Sequence, residues 1–148
     1  MNTWVQNNKN WLTKNYDITH QYGGKNTITI EKQENYHPIA FIQENYAQIL
    51  AEADIVIARS GANTLAELGH FNTSCILVPY PYAAGNHQQH NAQEFIEQNE
   101  RSLMILDKNI EKDLKKEQIE KLISKTNSSE SQKQNNSPVN TIQHSFLK

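Results

Sequence analysis

Ile55-Val56-Ile57-Ala58-Arg59-Ser60-Gly61-Ala62-Asn63-Thr64-Leu65-Ala66-Glu67 is the stretch that decides the fold. Four apolar residues in a row, with no polar alternation, predict a strand covered by helices on both faces. The run stops at Arg59-Ser60-Gly61-Ala62, a tight polar turn, and a helical pattern follows from Asn63 to Leu68 with Gly69 as its expected C-terminal cap. Strand, turn and helix in that order are the first half of a βαβ unit. The turn is the part of such a unit that meets ligands.

The same alternation runs outward in both directions. Downstream, Cys75-Ile76-Leu77-Val78 is a second fully apolar strand, Pro79 to Gly85 a loop, and residues 88–99 a helix with Phe95 and Ile96 inward. Leu103 to Leu106 is a last strand, and residues 111–124 a last helix carrying Leu114, Ile119, Leu122 and Ile123. Upstream, Tyr46, Ile49, Leu50 and Ala53 fall at i, i+3, i+4 and i+7, an amphipathic helix. Trp4-Val5 and Trp11-Leu12 share one face of a helix over residues 1–15. Tyr16 to His20 alternates and predicts a short strand closed by Gly23-Gly24. Thr27-Ile28-Thr29-Ile30 fits either a strand or a short helix, and Ile39-Ala40-Phe41-Ile42, just past Pro38, is strand-like. The class expected is therefore α/β, a Rossmann-like, mostly parallel sheet with flanking helices.

Length and composition bound the rest. The 148 residues fit one domain, with a folded part over 1–125 and a tail over 126–148. Asn, Ser, Gln and Lys dominate that tail, so it is expected to be disordered. A net charge of −2 spread along the chain gives no nucleic-acid footprint. The lone Cys75 excludes an internal disulfide and reads as a small core residue. No apolar run reaches membrane-spanning length, and no signal peptide is visible, so a cytoplasmic location is expected.

Ligand chemistry is expected beyond the carboxyl ends of the strands, in the loops after His20, Ala58 and Val78. At Ser60-Gly61-Ala62 little side chain blocks the backbone, and a helix start just beyond offers N–H groups and a partial positive charge that suit a phosphate. Glu67 could accept two hydrogen bonds from vicinal hydroxyls such as a ribose presents. The plain alternative is a turn, an Asn63 cap and a Glu67 that complements the helix dipole. Asn86-His87-Gln88-Gln89-His90-Asn91 places six hydrogen-bonding side chains in a row, able to read sugar hydroxyls or to form a solvated helix start. His87 and His90 have no carboxylate or thiol nearby to complete a zinc set, so no metal is expected. His20 reads as structural. No Ser-His-Asp set, phosphate-cradling Gly-rich loop or internal repeat is present.

In combination these residues are specific. Ala53 to Leu68, Ile76 to Pro81 and Asn86 to Ala92 together resemble the C-terminal domain of the MurG-type N-acetylglucosaminyltransferases, which convert lipid I to lipid II in peptidoglycan synthesis. The likeness runs over about residues 10–125 and includes His20-Gln21, Gly23 and Phe41-Ile42. It implies the C-terminal half of a GT-B glycosyltransferase, binding UDP-N-acetylglucosamine with no cofactor. By that resemblance Phe41 and Ile42 would meet the uracil and Glu67 the ribose. Ala62, Asn63 and Thr64 would lie along the diphosphate and sugar, and His87 and Gln88 would meet the N-acetylglucosamine; Ser60, Gly61 and Asn91 are counted with them as substrate contacts. Asn63 departs from the commoner apolar residue. No catalytic residue is carried over, because the acceptor domain with its proposed base has no counterpart here.

The resemblance further implies that the first strand of the sheet, the central one, is absent together with its Gly-rich loop, which would leave two apolar edges open. The expectation is a fragment, either a truncated gene product or one half of a split enzyme; in the second case it would reach a lipid-linked acceptor only through a separate chain that supplies the acceptor domain. Docking at the inner face of the plasma membrane would come with that partner. A function of another class, a non-catalytic nucleotide-sugar-binding or structural remnant, is the alternative.

Overall fold

The apolar runs become neighbouring parallel strands at the middle of a six-stranded sheet. The computed structural model describes residues 1–24, 33–130 and 141–145, so Thr27 to Ile30 lies outside the described residues. In chain order the elements are α1 (Asn2–Asn15), β1 (Asp17–Gln21), β2 (Tyr36–Ile39), α2 (Tyr46–Glu52), β3 (Ile55–Ala58), α3 (Ala62–Phe71) and β4 (Cys75–Leu77). Then follow α4 (His87–Gln98), β5 (Ser102–Met104), α5 (Ile110–Asp113), α6 (Lys116–Glu130) and β6 (Thr141–Ser145). The sheet order is β2-β1-β6-β3-β4-β5, and every pair in it is parallel.

Two cores explain why β3 and β4 are apolar at every position. Ile55, Ile57, Ile76 and Val78 face one layer with Trp4, Val5 and Leu12 of α1 and Ile119, Leu122 and Ile123 of α6. Val56, Ala58, Cys75 and Leu77 face the other, with Leu50 of α2, Leu65 and Leu68 of α3 and Ala92 of α4. Each such aliphatic side chain contributes roughly 1.5–3 kcal/mol by leaving water. Cys75 is fully buried, and burial pushes its thiol up to about 12, so it behaves as a hydrophobe and not as a nucleophile.

Several boundaries depart from expectation. β2 covers Tyr36–Ile39 and stops before Phe41. It contains Pro38, which fits because β2 is an edge strand paired only to β1. α3 runs past Gly69 to Phe71 and is capped by Asn72 in the left-handed region at φ 52°. Its N-cap is Gly61, with no side-chain cap from Asn63. The last helix breaks in two, α5 ending at an extended Leu114 before α6 begins.

α6 runs through Glu130, and residues 141–145 form β6. β6 sits between β1 and β3. The two apolar edges expected to lie open therefore face this strand.

Candidate functional site

Because all the strands are parallel, the segments after β1 to β5 lie along one edge of the sheet. At the tip of β3 the chain turns through Arg59, Ser60 and Gly61 into α3. Ser60 is fully buried, and its hydroxyl donates to the carbonyl of Gln88 at 2.7 Å. Gln88 is buried as well, and its Oε1 accepts from the Tyr80 N–H at 2.9 Å. The β3 turn, the loop after β4 and the head of α4 are thereby held together.

Arg59 tightens the same knot. Its Nη1 donates to the carbonyls of Val78 at 3.0 Å and Pro79 at 3.1 Å. The guanidinium pairs with Asp107 at 2.6 Å and lies 5.5 Å from the Tyr80 ring centre. One planar cation thus joins the segments after β3, β4 and β5, a task that suits a guanidinium fork. Sequence reasoning gave Arg59 and Asp107 no role. The available signal was a lone cation at the end of a wholly apolar strand.

Gly61 begins α3 without a side-chain cap, which leaves the leading N–H groups of the helix open to solvent or an anion. A Cβ at Gly61 would meet only the Thr64 hydroxyl, at an ordinary 3.7 Å, so internal packing does not demand a glycine there. Ala62 and Asn63 are exposed and Thr64 is buried. Glu67 is half-buried on α3, and its Oε2 is enclosed with no hydrogen-bond partner among the described residues. α3 packs against α4. On α4, His87 is exposed and Asn91 half-buried, and the His87 Nδ1–H donates to the Ala84 carbonyl.

Phe41 and Ile42 stand at the same edge on the β2 side. Phe41 is 45 % exposed, and the Ile42 N–H donates to Gln21 Oε1 at 2.9 Å. The structure thus joins Ser60 directly to Gln88; Gly61 caps α3, which carries Ala62, Asn63, Thr64 and Glu67 and packs against α4 with His87, Gln88 and Asn91. A hollow of about 200 Å³ adjoins the knot and is lined by Pro79, Tyr80, Pro81, Asn86, Gln89, Leu106, Asp107 and Lys108. None of the eleven predicted contacts lines it. Among the described residues no cluster of three or more His, Cys, Asp or Glu could hold a metal, and no helix is long and apolar enough to cross a membrane.

His20 proves to be a core group. It is fully buried, with Nδ1 2.7 Å from the Tyr36 hydroxyl and Nε2 3.0 Å from Asn2 Oδ1. The Asn2 amide nitrogen donates to the Tyr22 carbonyl, so Oδ1 is left to accept from His20. Nε2 therefore carries the proton, and Nδ1 accepts from Tyr36. Burial first, then the nearby amino-terminal charge, lowers the pKa of His20 to about 4.

The profile of the glycosyltransferase family 28 C-terminal domain matches residues 1–146. The curated relatives include proteins named UDP-N-acetylglucosamine--N-acetylmuramyl-(pentapeptide) pyrophosphoryl-undecaprenol N-acetylglucosamine transferase. That of Synechocystis sp. is 37 % identical over 87 residues, 59 % of this chain and 24 % of the relative. That of Geotalea daltonii is 37 % identical over 111 residues, 72 % of this chain and 30 % of the relative. That of Carboxydothermus hydrogenoformans is 49 % identical over 53 residues, 36 % of this chain and 14 % of the relative. The chain thus spans less than a third of the length of these relatives. No solved structure gives a significant match.

Proposed function

The chain belongs to the glycosyltransferase family 28 C-terminal domain, and from that premise we propose that it is the part of an inverting N-acetylglucosaminyltransferase that binds UDP-N-acetylglucosamine. The observation that carries this is the Ser60–Gln88 hydrogen bond of 2.7 Å. It fixes a turn of small residues and a helix start against an amide-rich helix head, at the edge where α/β sheets take ligands. Each part matches a piece of the donor. The head of α3, at Ala62, Asn63 and Thr64, suits the diphosphate. The enclosed, unpartnered oxygen of Glu67 suits a ribose hydroxyl. His87, the amide nitrogen of Gln88 and Asn91 suit sugar hydroxyls, and the exposed ring of Phe41 beside Ile42 suits the uracil.

In the reaction a hydroxyl of a muramyl acceptor attacks the anomeric carbon, the bond to the diphosphate breaks with inversion, and UDP leaves. The charge growing on UDP is stabilised by helix N–H groups that are oriented before the reaction begins. The base that takes the hydroxyl proton and the seat of the lipid-linked acceptor lie outside these 148 residues. This chain supplies the donor and no catalytic side chain.

Isothermal titration of the folded chain with UDP-N-acetylglucosamine tests the proposal. Saturable heat is expected, and Glu67→Ala should weaken it by roughly 1–3 kcal/mol through loss of a hydrogen bond to a charged acceptor. A folded chain that gives no heat would overturn donor binding. An unchanged affinity in the variant would remove the ribose assignment alone.

A further inference from the structure

We infer that Arg59 and Asp107 are positioning residues for the donor's sugar: through the loop after β4 they hold the Gln88 amide in one of its two orientations. This role rests on the preceding assignment of Gln88 to the N-acetylglucosamine, and the experiment below lets the two fail separately.

Pro79-Tyr80-Pro81 has a single backbone N–H, because neither proline carries one. That donor, on Tyr80, goes to Gln88 Oε1 at 2.9 Å. The other hydrogen-bonded tie from this loop to a distant element, among the described residues, is Arg59. It donates to the carbonyls of Val78 and Pro79, and its guanidinium lies 5.5 Å from the Tyr80 ring centre. The place of the Tyr80 N–H therefore depends on Arg59. Arg59 in turn is oriented by Asp107, 2.6 Å away in the segment after β5. The two side chains are only 14 % and 27 % exposed, so water and salt screen the pair weakly.

An amide is planar, and its two ends have opposite roles: the oxygen accepts and the nitrogen donates. The Tyr80 N–H accepts nothing, so the oxygen of Gln88 faces the loop and the nitrogen takes the other branch of the plane. If the loop shifts by about an ångström, the Tyr80 N–H leaves hydrogen-bond range and the contact that sets the orientation is gone. A sugar hydroxyl that then meets the oxygen finds no donor. The backbone of Gln88 is held separately, by the Ser60 hydroxyl on its carbonyl at 2.7 Å. Loss of Arg59 or Asp107 thus misorients one side chain and leaves the helix head in place. Glu67 and Phe41, proposed for the nucleoside, lie outside this chain of contacts.

The test is isothermal titration of the full chain and of two variants, Asp107→Asn and Arg59→Lys, with UDP and with UDP-N-acetylglucosamine. Arg59→Lys keeps a cation but loses the fork that spans two carbonyls and a carboxylate. It also leaves Asp107 beside the Met1 amine, 3.9 Å away, so agreement between the variants assigns the effect to the Arg59–Asp107 pair. Each variant should bind UDP-N-acetylglucosamine about three- to tenfold more weakly, the contribution of one hydrogen bond, and UDP within about twofold of the parent. In a Gln88→Ala background, Asp107→Asn should cost less than about twofold, since the contact it positions is already missing. Equal losses for UDP and the sugar nucleotide would reduce the pair to a structural clamp and overturn the inference. So would unchanged affinity for both, or full additivity with Gln88→Ala. If one variant does not fold, the other carries the test. Hydrogen exchange reads the same link without ligand: the Tyr80 N–H should exchange at least about tenfold faster in each variant while the amides of 55–58 keep their protection. A Tyr80 N–H as protected as in the parent would overturn the inference whatever binds. A folded parent that binds neither nucleotide overturns the donor reading, and the sugar-positioning role with it. A parent that binds both, with variants that do not tell them apart, overturns the positioning role alone.

Discussion

Two His-Gln pairs lie along the ligand edge of the sheet, His20-Gln21 at the end of β1 and His87-Gln88 at the head of α4, and the fold treats their members differently. The glutamines do the same work. Gln21 Oε1 accepts from the Ile42 N–H and Gln88 Oε1 from the Tyr80 N–H, each at 2.9 Å. Each thereby pins a loop that carries an exposed aromatic ring, Phe41 in one case and Tyr80 in the other. The histidines diverge. His20 is sealed between Tyr36 and Asn2 with both ring nitrogens engaged, whereas His87 is exposed with one nitrogen on a backbone carbonyl. Identical dipeptides thus yield one core network and one candidate contact. What separates them is the layer in which each lies: the His20 side of the sheet is roofed by α1, while His87 opens a helix at the rim.

The largest effect that could break this contrast is a pH dependence. His20 is held near pKa 4 when folded and should return to about 6.5 when unfolded. Between these values the unfolded chain binds the extra proton, so stability rises with pH and the contribution is lost as pH falls from about 6.5 to 4. The full difference is about 3 kcal/mol. Urea unfolding at pH 7 and pH 4.5 should show most of that loss, and His20→Gln should remove the corresponding part of the slope. A variant with the same slope as the parent would show that His20 is not the sealed, neutral group on which the contrast depends.

Next in size are the glutamines. Gln21→Ala and Gln88→Ala each leave a partly buried backbone N–H without its acceptor, and each should cost about 1–2 kcal/mol of unfolding free energy. Equal costs would sharpen the parallel between the two loops. A cost near zero at one position alone would break it, because the loop there would have another anchor. Gln88→Ala should in addition weaken UDP-N-acetylglucosamine binding, since its amide nitrogen is the proposed sugar contact.

How much of this is legible in the residues follows from where the information lies. β3 and β4 are plain because each residue meets one of two cores, so apolarity is continuous and unambiguous. The helices α2 and α4 are equally plain from spacing. β6 is not marked in the sequence because five residues with a single Ile and no apolar alternation carry only a weak strand signal. Its pairing is dictated by the edges of β1 and β3, an effect of context and not of propensity. Pro38 misleads in the opposite way, since proline reads as a breaker yet an edge strand admits it. At the site, Ser60 and Gln88 stand out in the sequence as polar residues at strand and helix ends. Only the fold shows that the Ser60 hydroxyl is spent on the Gln88 carbonyl and the Gln88 Oε1 on the Tyr80 N–H. Arg59 and Asp107 form their ion pair across the sheet edge from distant parts of the chain, so no local pattern reveals it.

The smallest effect probes the β1 side of the comparison. Gly24 does not adopt a left-handed conformation, so its reason for lacking a side chain is proximity: a Cβ there would come within 2.8 Å of Phe41 Cε2. Phe41 is 45 % exposed, and its ring can swing toward solvent at little cost. Gly24→Ala should therefore change stability by no more than about 0.5 kcal/mol while displacing the ring, visible as shifted Phe41 ring resonances. If Phe41 stacks on the uracil, the affinity for UDP-N-acetylglucosamine should fall in this variant although its stability does not. If affinity and stability both hold while the ring moves, Phe41 takes no part in binding. The candidate site would then be confined to the Gln88 side of the edge, and Gln21 would anchor its loop for structural reasons alone.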